Sequence, residues 1–518
     1  MKSFTLGKTA CAIALFFIAA ALASSAQTFT TLAAFDGTDG LEPASLVQGA
    51  DANVYGTTTL GGYNFLNRAG YAGDGTIFTV APDGGFKTVY EFCEQNAGCD
   101  DGESPSGGVI LASDGNFYGA TIAGGTSTIG FSAGVLYKVA RNGDYTLLYS
   151  FCQQISNNDC LDGASPSGLV QGGNGNFYGT TAMGGVANKG TLFEVTATGQ
   201  LTTLYSFCSL TNCADGSEPA ASLALGADGS FYGTTSAGGT HTNDPLCNNG
   251  CGTIFRITPQ GKLTTLYNFC SVVNRVGSCA DGAVPSVSLV QGPDGSFYGT
   301  TQIGGYVASM DGTGTVFRIT PAGKLTTIYS FCSQPNCADG AYPAAALVLG
   351  SDGNLYGTAS GGGANEGGTV FQFSAAGELT TLYSFCSQAN CADGSIPFAT
   401  LLQATTGIFY GSTSAGGNLH ACSKISSGCG TVFSLATGLG PFVEANPNFA
   451  APGRPVGILG NNLTGSTSVT FNGLSATFTV LSNTSIEATV PAGVTSGTIQ
   501  VTTPSGTLNS NVAFQVVP

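Results

Sequence analysis

Residues 162–208 read DGASPSGLVQGGNGNFYGTTAMGGVANKGTLFEVTATGQLTTLYSFC. Four short runs stand out, Ser167–Gln171, Phe177–Thr181, Thr191–Val195 and Leu201–Phe207, rich in Val, Leu, Thr, Tyr and Phe and separated by Gly-rich corners. Runs of this length and composition predict four antiparallel strands joined as a meander. The unit recurs: an aromatic-Tyr-Gly element or a close variant returns with Tyr55, Tyr118, Tyr178, Tyr232, Tyr298, Tyr356 and Tyr410, at intervals of 54 to 66 residues. A mean period of about 59 is in the range of propeller blades and longer than most helical repeats. Each copy opens with DGxxP, passes through an FYGTT-like stretch and a Gly-Gly loop, and returns through a turn that is Pro-x-Gly in several copies. One four-stranded sheet cannot bury both of its apolar faces alone, so the copies must stack, and antiparallel sheets stacked about an axis make a propeller.

The strand count predicts how the stack ends. Residues 28–35 (TFTTLAAF) match the fourth strand LTTLYSF but precede the first DGxxP, while the last unit, from Asp393, has a third strand at Thr431–Leu435 and then leaves the pattern. The N-terminal residues are therefore expected to complete the last sheet, which removes an exposed sheet edge. The expected fold is all-β, a seven-bladed β-propeller over residues 27–437 closed by its N-terminal strand. An open solenoid would have no use for the displaced strand.

Composition agrees with a turn-rich β protein. Of 518 residues 79 are Gly, 42% are hydrophobic, and 14 Lys and Arg face 30 Asp and Glu, for a net charge of −16. Disorder needs lower hydrophobicity and long helices need more charged residues. A chain this acidic has no basic surface to neutralise a run of phosphates, so nucleic acid is excluded as a partner, and anionic lipid is disfavoured. Lys2 and Lys8, the apolar stretch Thr9–Ala23 and the small residues Ser24, Ser25 and Ala26 form an expected signal peptide over residues 1–26. A membrane anchor would need about 20 apolar residues. No second apolar span follows, so the expected product is secreted, periplasmic or at the cell surface, without a transmembrane segment.

Cys11 lies in the leader, and the other 16 of the 17 cysteines fall into neighbouring pairs. Six pairs follow fourth strands: Cys93 with Cys99, Cys152 with Cys160, Cys208 with Cys213, Cys270 with Cys279, Cys332 with Cys337, and Cys386 with Cys391. Two lie between second and third strands, Cys247 with Cys251 and Cys422 with Cys429. Even number, local spacing and export predict disulfides. His241 and His420 precede the last two pairs and bring in the competing zinc or copper reading, but neither loop offers a clear fourth ligand.

Meander topology places the cysteine loops, DGxxP, the Gly-Gly loops and both histidines on one face, where a binding surface is expected. Asp39, Asp101, Asp162, Asp215, Asp281, Asp339 and Asp393 recur once per unit before Gly. A carboxylate there can accept backbone N–H bonds and fix a turn; a ring of carboxylates holding calcium is the competing reading. No cofactor and no catalytic residue is predicted. The repeated Tyr and Phe read as packing between sheets in preference to sugar-stacking platforms. After a connection at 438–446, residues 447–518 contain no Cys and alternate Val, Ile, Phe and Thr with turn residues, which predicts a small immunoglobulin-like β-sandwich.

The motifs DGxxP, DGxFYGTT, GTxFRITPxG and LTTLYSFC resemble the GloVer tandem repeat of bacterial choice-of-anchor surface proteins, over about residues 28–440. The tail is similar to an IPT/TIG domain through Pro447, Gly453, Ile458-Leu459-Gly460, Asn462-Leu463, Val469, Phe471, Gly473, Val490-Pro491 and Gly506. The resemblance implies an exported bacterial protein and no particular reaction. The expected function is a non-catalytic binding or adhesion protein that presents loops to an extracellular polysaccharide or surface protein. A polysaccharide lyase or hydrolase acting at the axis and a purely structural spacer are the alternatives.

Overall fold

The quoted unit forms sheet 3. Its strands Ala164–Gln171, Phe177–Met183, Thr191–Val195 and Leu201–Ser206 lie in chain order, each antiparallel to the next. The third strand is buried almost throughout, with Leu192, Phe193 and Val195 inaccessible, because neighbouring sheets cover both of its faces. The Gly of FYG lets the third-strand ring lie flat across the second strand: a Cβ on Gly179 would stand 2.7 Å from Cζ of Phe193.

The structure is a computed structural model that describes residues 27–517 apart from 63–72, 95–97, 127–131, 158, 220, 242–246, 275–278, 286, 306–311, 375, 420–421 and 423–426. The expected leader at 1–26 and His420 lie outside the described residues. Sheets of the same order surround the second strands Val54–Leu60, Phe117–Ala123, Phe231–Thr235, Phe297–Thr301 and Leu355–Ala359, numbered sheets 1, 2, 4, 5 and 6. Sheet 7 contains Leu402–Gln403, Phe409–Thr413 and Thr431–Ala436, and its fourth strand is Thr28–Ala34. Thr28 pairs with Ala436 and Ala34 with Thr431, across a bulge between Thr31 and Ala33.

Two contacts recur between each sheet and the one before it, and a third in five of the seven seams. The DGxxP proline packs on the Gly that precedes the earlier sheet's third strand. A Cβ on Gly75, Gly134, Gly190, Gly252, Gly314, Gly368 or Gly430 would lie 2.5 to 2.8 Å from Cδ of Pro105, Pro166, Pro219, Pro285, Pro343, Pro397 or Pro43 respectively. The residue before each proline adopts a left-handed backbone, with φ of 54° to 58° at Glu42, Ser104, Ser165, Glu218, Val284, Tyr342 and Ile396. Such a conformation is strained for residues with a Cβ. It aims the N–H at a carbonyl of the preceding unit, as in Val284 to Cys251 at 3.0 Å and Ile396 to Gly367 at 2.9 Å. Third, second-strand tyrosines stack on phenylalanines of the next sheet, for example Tyr118 on Phe177 with centroids 4.1 Å apart.

Sheet 7 meets sheet 1 through the same proline contact and backbone donor. The Glu42 N–H donates to the Cys429 carbonyl at 3.2 Å, and the Ser412 hydroxyl to the Pro43 carbonyl at 3.0 Å. Gln48 and Thr405 exchange two hydrogen bonds of 2.8 and 2.9 Å.

The tail is a sandwich of two four-stranded sheets. Glu444–Asn446, Pro455–Leu459, Ser485–Thr489 and Phe478–Val480 form one, and Leu474–Ser475, Ser468–Phe471, Ile499–Thr503 and Gly506–Asn509 the other. Ile458, Val469, Phe471, Ile486, Val501 and Phe514 fill the space between them. The strand Glu444–Asn446 falls within the stretch expected as a connection, where buried Ala445 joins this core. Phe442 N–H donates to the Thr405 carbonyl at 3.0 Å, and the Thr484 hydroxyl to the Ala50 carbonyl at 2.7 Å, so the tail also touches the repeats.

Candidate functional site

All eight cysteine pairs are disulfides, Cys93–Cys99, Cys152–Cys160, Cys208–Cys213, Cys247–Cys251, Cys270–Cys279, Cys332–Cys337, Cys386–Cys391 and Cys422–Cys429. Eight bridges are the mark of an oxidising compartment. Among the described residues no helix is long and apolar enough to cross a membrane. Beneath six of these bridges lies one arrangement of groups. The fourth-strand tyrosine donates its hydroxyl to the carboxylate of the next unit's DGxxP aspartate: Tyr90 to Asp101, Tyr149 to Asp162, Tyr205 to Asp215, Tyr267 to Asp281, Tyr329 to Asp339 and Tyr383 to Asp393, at 2.7 to 2.8 Å.

Backbone N–H groups of the cysteine loop complete the arrangement. Ser387 and Gln388 donate to the two oxygens of Asp393 at 2.9 and 3.2 Å, and Ser333 and Gln334 do the same for Asp339. Asp162, Asp215, Asp339 and Asp393 are wholly buried, which is tolerable for a carboxylate only because protein donors replace its water. Burial, opposed by the Ser387 bond and reinforced by the Asp393 charge, pushes the Tyr383 hydroxyl up to about 12, so it remains a donor. The tyrosine partner was not foreseen from sequence. Its signal is the pairing of Tyr-x-Phe-Cys with the following DG in every unit but the first, where Ala33 takes the tyrosine's place and Asp36 that of the cysteine.

Asp39 is accordingly different. Its carboxylate accepts from the Asp36 N–H at 2.9 Å, and burial, followed by the charge of Asp36 among the raising effects, pushes it up to about 6.

Close by, where sheets 7 and 1 meet, a cavity of about 500 Å³ is lined by Glu42, Pro43, Thr59, Ile396, Phe398 and Ser414. Phe398 is 53% exposed and Ile396 42%. Units 1 to 6 carry Ala44, Ser106, Ser167, Ala220, Ser286 and Ala344 where unit 7 has Phe398, a departure that the repeat itself could have flagged. Burial raises the Glu42 carboxyl above its ordinary value. Glu42 is the only carboxylate among the described residues lining this cavity, which offers an apolar ring, one acid and the hydroxyls of Ser45, Thr59 and Ser414, and no acid–base pair.

Among the described residues two groups bring three ligand atoms of metal-binding types within 4.8 Å of one another, Cys247 with Cys251 and Cys279, and Asp74 with Cys93 and Cys99. Their sulfurs are tied up in disulfides and supply no thiolate, so these groups do not fit a zinc or copper ion. His241 is exposed, with the Thr240 hydroxyl 3.4 Å from Nδ1.

No curated protein matches the chain. Among solved structures it is similar to the virginiamycin B lyase of Staphylococcus aureus, at 15% identity and a TM-score of 0.46, over 79% of this chain and 98% of that one. A copper-bound fungal alcohol oxidase of the AA5 family aligns at 12% identity and a TM-score of 0.48, over 95% of this chain and 99% of the other. The extracellular domain of a putative hybrid two component system from B. thetaiotaomicron aligns at 10% identity and a TM-score of 0.46, over 92% of this chain and 46% of that one. Likeness at this level carries no information on activity. The Gloeobacter/Verrucomicrobia repeat matches residues 18–160, 154–338 and 248–468, and the IPT/TIG domain matches residues 443–516. The chain therefore belongs to the Gloeobacter/Verrucomicrobia repeat family and carries an IPT/TIG domain after its repeats.

Proposed function

We propose that the chain is an exported, non-catalytic surface binding protein. Its seven sheets are read as the blades of a β-propeller closed by Thr28–Ala34, which presents the cysteine-loop face to a polysaccharide or an envelope protein. The observation that carries this reading is the tie of tyrosine, carboxylate and disulfide repeated under the loops of six units. Loops held this way are ordered before a ligand arrives, so little conformational entropy is lost on binding. The same hydrogen bonds occupy the recurring carboxylates, and this weighs against acid–base chemistry and against a calcium ring. The contact between sheets 7 and 1 supports closure, and Phe398 at that contact is the anchor expected for a ligand.

The test is retention of the full chain on a glycan panel and on envelope extract, with and without added calcium, scoring both capture and cleavage. Saturable capture without product, indifferent to calcium and weakened by Phe398→Ala, is the expected result. Turnover abolished by Glu42→Gln would replace binding with catalysis.

A further inference from the structure

In five seams the second-strand tyrosine lies against a phenylalanine of the next sheet: Tyr55 on Phe117, Tyr118 on Phe177, Tyr178 on Phe231, Tyr232 on Phe297 and Tyr356 on Phe409, with centroids 3.9 to 4.2 Å apart. Between sheets 5 and 6 the series breaks. The residue that should cover Tyr298 is Leu355, whose side chain cannot blanket a ring face. The other six tyrosines are at most 3% exposed, while Tyr298 is only half-buried. The seam between sheets 7 and 1 also lacks the phenylalanine, having Val54, but there Tyr410 stays buried in a cluster with Phe35 and Phe78.

The missing ring leaves a cavity of about 500 Å³ among the tight turns, on the face opposite the cysteine loops. Leu349, Leu355 and Phe373 form its apolar wall. Its polar side is an ion pair between the Arg318 guanidinium and the Asp294 carboxylate, with Arg318 Nε donating to the Ser296 hydroxyl at 3.0 Å and the Tyr298 hydroxyl to Asp294 at 3.2 Å. Sheet 4 carries the same trio in Asp228, Tyr232 and Arg256, with its ion pair at 3.2 Å, but there Phe297 covers the tyrosine. Loss of the ring, and not the charged pair, distinguishes the fifth seam.

We propose that this cavity binds one hexopyranose ring. The sugar's C–H face stacks on Tyr298 where the other seams place phenylalanine, and two neighbouring hydroxyls meet Asp294 as donors and Arg318 as acceptors. A carboxylate beside a guanidinium matches groups that donate and accept at once, whereas an aromatic hydrocarbon would leave both unanswered. The site lies on the other face from the one discussed above, so either assignment can fail without the other.

Saturation-transfer NMR of the full chain with glucose, galactose, mannose and N-acetylglucosamine, and with indole as a flat ring without hydroxyls, tests the proposal. At least one hexose should bind with a dissociation constant on the order of millimolar. Leu355→Phe, which restores the ring found in the other seams, should weaken binding at least about tenfold while leaving the melting temperature unchanged or higher. Asp294→Asn should also weaken it. Absence of binding by all four sugars, binding unchanged in Leu355→Phe, or preference for indole over every sugar would overturn the assignment.

Discussion

The Tyr383 hydroxyl and two backbone N–H groups share a carboxylate that no water reaches. Tyr383→Phe removes one donor and should destabilise the chain by about 1 kcal/mol, whereas Asp393→Ala orphans every donor at once and should cost about 3 kcal/mol, both read from denaturant unfolding. Asp39 behaves in the opposite way to a well-partnered acid. Its folded value of about 6 lies above the ordinary 3.8, so the native state holds the proton more tightly than the unfolded chain. Its contribution is greatest at acid pH and is lost as the pH climbs through about 6. The melting temperature of the unaltered chain, measured relative to Asp39→Asn, should therefore rise as the pH is lowered from about 7 to about 5. At this scale the sequence displayed the recurring aspartates but not their tyrosines. Spacing along one chain does not reveal which neighbour answers a buried charge.

Within an element, the Pro-on-Gly contact decides how closely adjacent sheets approach. A Cβ on Gly252 would collide with the Thr235 carbonyl oxygen and come within 2.7 Å of Pro285 Cδ, at a φ of +91°. Gly229 has a φ of +74° and nothing within 4 Å of such a Cβ. Gly229→Ala should cost about 1 kcal/mol, the left-handed penalty alone, and Gly252→Ala at least about 3 kcal/mol, compared by thermal melting. The strands of the middle of each unit were legible from alternation and β-branched content. The first strands were less so. Sheet 3 has the eight-residue strand Ala164–Gln171, but sheet 4 only Ala224–Leu225 and an isolated bridge between Ser217 and Ala237. A proline preceded by a left-handed residue interrupts the ladder, and the run of apolar letters after it does not show for how long.

Across the whole molecule, the repeat, the disulfides and the place of the N-terminal strand could be read because each is written as similarity between distant segments of one chain. The cavity beside Tyr298 could not, since Phe to Leu at residue 355 reads as a conservative change until the ring it should cover is seen. Deleting residues 27–35 would leave one edge of Thr431–Ala436 unpaired and uncover Phe433, and should produce a chain that aggregates and melts far earlier, as followed by light scattering and calorimetry. The backbone donor that each unit sends to its predecessor has a larger consequence, because the unit before Glu42 in this scheme is the one that holds Cys429. A row of repeats frays from its outermost members, which are gripped on one side only. On the propeller reading every member is gripped on both, so melting has no loose end to start from, and amide protons in all seven sheets would exchange together, through one rare opening.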